Sequence, residues 1–138
     1  METAHLSHPA HQLARPAVVV APGTTLRAAA AALWEADAGV AVVGTTDEPT
    51  GVLSERDILM ALAEDADPDT VTAAEVMTPR VIAAKPEDRL VDIAYLMFDD
   101  VIRHVPVVDD DGYVTGIVSV RDLLRPLLCD ALGHRAPA

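Results

Sequence analysis

GVLSERDIL at 51–59 and GIVSVRDLL at 116–124 are one phrase written twice, 65 positions apart, in a chain of 138 residues. Gly, Ser, Arg and Asp hold their places, while the apolar positions trade Val, Ile and Leu. The repetition limits the fold more than any other feature. A chain of 14.6 kDa carries material for one domain's core, so the copies must be halves of a single pseudo-symmetric module.

The flanks repeat as well. VVVAPGTTLRAAAAALWEADAGVAVV runs beside VIAAKPEDRLVDIAYLMFDDVIRHVPVV, with Pro22 opposite Pro86, Leu26 opposite Leu90, and Val42-Val43 opposite Val107-Val108. In the first copy, Val18-Val19-Val20 reads as a strand closed by Pro22-Gly23. Thr24 or Thr25 caps a helix with Leu26, Ala29, Ala30 and Leu33 on one face, and Gly39 ends it. Val40–Val43 and Gly51–Leu53 read as strands, and Ser54 opens a helix reaching about Glu64.

The second copy follows the same order. It has a strand at Val81-Ile82, a helix through Leu90, Ile93, Ala94 and Met97, strands at Val105–Val108 and Tyr113–Val118, a turn at Asp110-Asp111-Gly112, and a helix from Ser119. The expected organisation is a flexible segment 1–15, a repeat at 16–66, a connector at 67–78 with a short helix over Thr72–Met77, a second repeat at 79–129, and a frayed tail 130–138. Each β-α-β-β-α half leaves an apolar sheet face bare. An α+β fold with the two halves packed sheet to sheet about a pseudo-twofold axis covers both faces.

Composition then narrows the function. A net charge of −12 and a pI near 4.5 oppose the phosphate neutralisation on which nucleic-acid affinity depends. Aromatics make up 3% of the chain, so the core must be aliphatic. Cys129 is the single cysteine, which excludes an intrachain disulfide and a thiolate metal cluster. No run approaches the roughly 20 apolar residues of a membrane span, and the start lacks a signal-peptide core; the expectation is a cytoplasmic protein. His5, His8 and His11 are spaced by three, but Pro9 interrupts them and no metal site is assigned. No nucleophile elbow, Walker loop or metal-ligand spacing is found, so no catalytic residue is assigned.

The repeated phrase itself leaves two readings open. Ser-x-x-Asp at a strand-to-helix junction is a capping box, which needs no ligand. The same helix entrance presents amides and partial positive charge to a phosphate, and an Asp one turn in can accept from two vicinal ribose hydroxyls. Gly51 and Gly116 separate the readings, since a cap does not require glycine but a closely approaching ligand exploits it.

GVLSERDIL, EVMTPRVIAAKPEDRLVDIAYLMFDD and HVPVVDDDGYVTGIVSVRDLL, taken in order, resemble a tandem pair of cystathionine-β-synthase (CBS) domains, a Bateman module. The resemblance spans about residues 16–128. It implies a non-enzymatic sensor that binds an adenosine-containing ligand (AMP, ADP, ATP or S-adenosylmethionine) in a cleft between the repeats and signals to a protein partner. It also implies a homodimer formed through the helices at Leu26 and Leu90. By the same resemblance Asp57 and Asp122 hold ribose, Ser54 and Ser119 approach phosphate, Gly51 and Gly116 belong to the signature, and Ile82 and Pro106 help line an adenine slot. Arg103 and His104, where the first repeat has Ala38 and Gly39, favour the site of Ser119 and Asp122; Arg56 and Arg121 remain candidates for ligand, dimer or surface ion-pair contacts. The alternative is a ligand-free structural or protein-interaction module.

Overall fold

The computed structural model describes residues 5–133. The chain divides into two compact units, one of residues 17–82 with 111–114, the other, among the described residues, of 5–16 with 83–110 and 115–133. In the first unit the order is β1 (Val18–Val20), α1 (Leu26–Ala36), β2 (Val40–Gly44), β3 (Pro49–Ser54), α2 (Glu55–Ala63) and the short α3 (Ala73–Val76). β1 lies parallel to β2, and β2 antiparallel to β3. The second unit holds α4 (Leu90–Asp100), β4 (His104–Val108), β5 (Val114–Ser119, whose first residue belongs to the first unit) and α5 (Val120–Leu132), with β4 and β5 hydrogen-bonded neighbours.

Local sequence explains the helices. Thr25 caps α1 by accepting from the Ala28 amide at 3.2 Å. Leu26, Ala29 and Leu33 of α1, and Leu90, Ile93 and Met97 of α4, fall on the buried face at matching positions. Both cores are aliphatic. Leu26 and Leu53 are completely buried in one, Val105, Val107 and Val118 in the other, and each contributes roughly 1.5–3 kcal/mol of transfer free energy. The four aromatic side chains are instead exposed: Trp34 87%, Phe98 82%, Tyr95 65% and Tyr113 48%.

Several expectations need correction. Val81-Ile82 is not a strand; only Ala84 joins the sheet, in a parallel bridge to Val107. The path from Pro79 to that bridge is one residue longer than the path from Pro16 to Val20, so register is reached only at its end. Gly39 does not terminate α1. Asp37 does, in the left-handed conformation at φ 50°, and Val101 holds the same place after α4 at φ 55°. α5 continues past 129 to Leu132, capped by Gly133, and residues 134–138 of the expected tail lie outside the described ones.

Residues 5–15 are packed where a flexible segment 1–15 was expected, and residues 1–4 lie outside the described ones. Ala10 is fully buried in the second unit's core. Pro9 bridges Arg89, the residue before α4, just as Thr72 bridges Thr25, the residue before α1. Ala10 therefore matches Ala73, also fully buried, and residues 9–15 form a second copy of the stretch 72–78. Farther upstream, Asp130 accepts the Leu6 amide at 2.8 Å, the His5 amide at 2.7 Å and the His5 ring at 2.9 Å. The Leu6 amide foremost, then His5, hold this carboxyl below its ordinary value, against a burial effect that raises it.

Two stability experiments follow from these contacts. A β-branched residue in the left-handed region is strained, so Val101→Gly should raise unfolding free energy in urea by about 0.5–1 kcal/mol after glycine's entropic cost; a loss would mean that Val101 makes a compensating contact. Because the folded Asp130 carboxyl is the stronger acid, its contribution is present above the unfolded value of about 4 and is lost as pH falls through the lower folded value. The stability gap between the wild type and Asp130→Asn should therefore be constant near neutrality and close in acid. A gap that widens on acidification would contradict the assignment.

Candidate functional site

Each copy of the repeated phrase builds a helix entrance. In the first, Ser54 Oγ accepts from the Asp57 amide at 3.0 Å, and the Ser54 amide donates to Asp57 Oδ2 at 2.9 Å. In the second, Ser119 Oγ accepts from the Asp122 amide at 3.2 Å, and the Ser119 amide donates to Asp122 Oδ2 at 3.1 Å. Both are complete capping boxes. The next amide is engaged in each as well: Glu55 N donates to Gly39 O at 2.9 Å and Val120 N to Arg103 O at 2.7 Å. Arg56 and Arg121 carry the first-turn amides outside these contacts.

The glycines answer to the chain itself. Thr78 exchanges two backbone hydrogen bonds with Val52, at 3.0 and 2.9 Å, and Arg15 exchanges two with Ile117, at 2.9 and 2.8 Å. A Cβ on Gly51 would stand 2.6 Å from Thr78 O and 2.6 Å from Met77 Sδ. One on Gly116 would stand 2.8 Å from Arg15 O and 3.0 Å from Ala14 Cβ. The close neighbour at each glycine is thus the chain itself, from the stretch 77–78 at Gly51 and 14–15 at Gly116.

Although the backbone frames match, the two entrances differ in their side chains. Ser119 Oγ donates its hydrogen to Asp122 Oδ2 at 2.8 Å, and the Arg15 guanidinium lies 2.8 Å from Asp122 Oδ1. The Asp122 side chain is only 6% exposed, whereas that of Arg15 is 76% exposed. At the first entrance, neither Ser54's hydroxyl hydrogen nor Asp57 Oδ1 has a partner among the described residues. Thr78, the counterpart of Arg15, brings no charge.

The remaining candidates fall into place around these frames. Gly51 and Gly116 are buried, Ser54, Asp57 and Ser119 half-buried, and Arg56, Arg103 and Arg121 exposed without an ion pair among the described residues. Arg103 and the half-buried His104 lead into β4. Pro106 is buried in that strand, its carbonyl accepting from Ala84 N at 2.9 Å, and Ile82 is half-buried. A cavity of about 230 Å³ among Ala30, Leu33, Trp34, Asp37, Ala38, Glu55 and Ile58 includes none of them. The sequence reading missed Arg15 and Thr78. Their signal is Arg15-Pro16 beside Thr78-Pro79: proline keeps the preceding residue extended, and its lack of an N–H ends the pairing after one residue.

The CBS domain profile matches residues 11–64 and 73–128. The chain belongs to the CBS-domain family. Among solved structures, it is 34% identical to the CBS domain protein PAE2072 from Pyrobaculum aerophilum complexed with AMP, over 90% of this chain and 98% of that one, with a TM-score of 0.79. It is 26% identical to the CBS domain pair of protein MJ0100 in complex with 5-methylthioadenosine and S-adenosyl-L-methionine, over 86% and 94%, with a TM-score of 0.78. A protein of Methanopyrus kandleri, MK0525, is 36% identical over 62% of this chain and 44% of its own length; the chain thus spans under half of that relative. No helix among the described residues is long and apolar enough to cross a membrane.

The glycine contacts predict a stability effect. Gly51→Ala and Gly116→Ala should each cost about 1–3 kcal/mol by overpacking against backbone, while Gly23→Ala, whose Cβ meets open space, should be near neutral. Equal effects at all three in chemical denaturation would remove the close-approach argument.

Proposed function

We propose that this CBS pair is a non-enzymatic sensor that binds an adenosine-containing ligand, AMP, ADP, ATP or S-adenosylmethionine, at its Ser-x-x-Asp helix entrances. The observation that carries the reading is the pairing of hydroxyl and carboxylate at a helix N-terminus, in a chain similar over 90% of its length to an AMP complex. Asp57 and Asp122 are the ribose acceptors. Ser54 and Ser119 meet phosphate, helped by the helix dipole and the amides of Arg56 and Arg121. The exposed Arg56, Arg103 and Arg121 supply side-chain charge, His104 a ring nitrogen beside the phosphate, and Ile82 and Pro106 belong to the adenine slot.

A homodimer and a protein partner complete the proposal. Trp34 on α1, and Tyr95 and Phe98 on α4, are large exposed apolar side chains that a second copy would bury. Ligand binding then changes what a partner protein meets, to the extent that it binds two states differently.

Thermal melting with each nucleotide tests the reading. At 100 times its dissociation constant, a ligand adds about 2.7 kcal/mol, a rise of several degrees for a chain of this size. The double variant Asp57→Asn, Asp122→Asn keeps one acceptor oxygen in each capping box and should abolish the rise. No shift with any of the nucleotides and S-adenosylmethionine would favour the ligand-free interaction module.

A further inference from the structure

The two helix entrances share a backbone frame and differ in what already fills them. At the second, the Ser119 hydroxyl and both Asp122 carboxylate oxygens are engaged by the chain. Asp122 Oδ2 takes the Ser119 amide and hydroxyl, at 3.1 and 2.8 Å, and Oδ1 takes Arg15 at 2.8 Å. At the first, Asp57 Oδ2 takes the Ser54 amide alone, and Thr78 stands where Arg15 would.

We propose that Arg15 is an internal occupant of the second site, so that the Ser54–Asp57 site takes adenine nucleotide first and the Ser119–Asp122 site opens only when Arg15 is displaced. This rests on the nucleotide reading given above and reverses the preference for the second site drawn from Arg103 and His104. The physical basis is the contrast in burial. Arg15 is an exposed side chain lying 2.8 Å from a carboxylate whose side chain is 6% exposed with Arg15 against it, and so little exposed a carboxylate is held more firmly by positive charge than one at an open surface. The guanidinium supplies that charge and the two-way pairing of Arg15 with Ile117 holds it in place. A ribose supplies hydroxyl donors but no positive charge, so a nucleotide must displace a partner electrostatically better suited to Asp122. The exposed end of the pair is nonetheless screened and replaceable, which makes it a latch rather than a permanent plug.

Calorimetric titration of AMP into the full chain tests the assignment. The wild type should bind one AMP per chain. Asp57→Asn should abolish that binding, and Asp122→Asn should leave it intact. Arg15→Gln should raise the stoichiometry to two, and adding Asp122→Asn to Arg15→Gln should return it to one. Two AMP per wild-type chain, or loss of binding on Arg15→Gln, would overturn the latch while leaving the nucleotide reading standing. No binding by the wild type and Arg15→Gln alike would overturn the nucleotide reading itself. A readout without nucleotide separates the cases further: Arg15→Gln should speed amide exchange at Ile117 by tenfold or more, and unchanged exchange would show that the side chain does not hold the segment.

Discussion

A single residue, held extended by the proline after it, closes the open edge of each sheet, and the helix entrances depend on that closure. Thr78 pairs both ways with Val52, and Arg15 with Ile117. The pairing demands glycine one position earlier on the partner strand, because the incoming carbonyl stands where a Cβ would be. With the strand anchored there, its end at Ser54 or Ser119 is fixed, and the capping box orients the carboxylate three residues on. An exposed sheet edge is also a pairing hazard, and a closing residue without a following N–H covers it without extending the sheet.

The two repeats present matching backbone frames that are chemically unequal. Arg15 in place of Thr78 delivers a cation to one carboxylate and none to the other. In a fully solvated pair this contact would count for little. Its weight comes from the low exposure of the Asp122 side chain, 6%, which limits solvent screening of the pair. A ligand-binding pair of this kind can therefore hold two sites of different readiness without any difference in backbone. Trp34, Tyr95 and Phe98 follow a comparable logic, since they stay out of a core of Val, Leu, Ile and Ala and sit on helix surfaces where a second protein can cover them.

Much of this organisation is legible in the sequence. Regular spacing of Leu26, Ala29 and Leu33 against Leu90, Ile93 and Met97 gives both central helices, and Ser-x-x-Asp gives both caps. The strand expected at Val81-Ile82 is absent because apolar β-branched residues signal strand wherever they occur, whereas pairing also needs register, which an extra residue after Pro79 delays to Ala84. Asp37 and Val101 end their helices in place of a glycine, an outcome set by the chain's return to the sheet rather than by local preference. The stretch 9–15 escaped notice as a copy of 72–78 because only the buried Ala10 and Ala73 and the following prolines are common to both. Arg15 consequently read as part of a polar start.

The central claim is that hydroxyl and carboxylate at a helix entrance hold a ribose phosphate. A crystal structure of the protein grown with AMP tests it most directly. The account predicts ribose hydroxyls on Asp57 Oδ1 and a phosphate oxygen on the Ser54 hydroxyl, with Arg15 still on Asp122. Nucleotide bound elsewhere, or an empty Ser54–Asp57 entrance at saturating AMP, would contradict it.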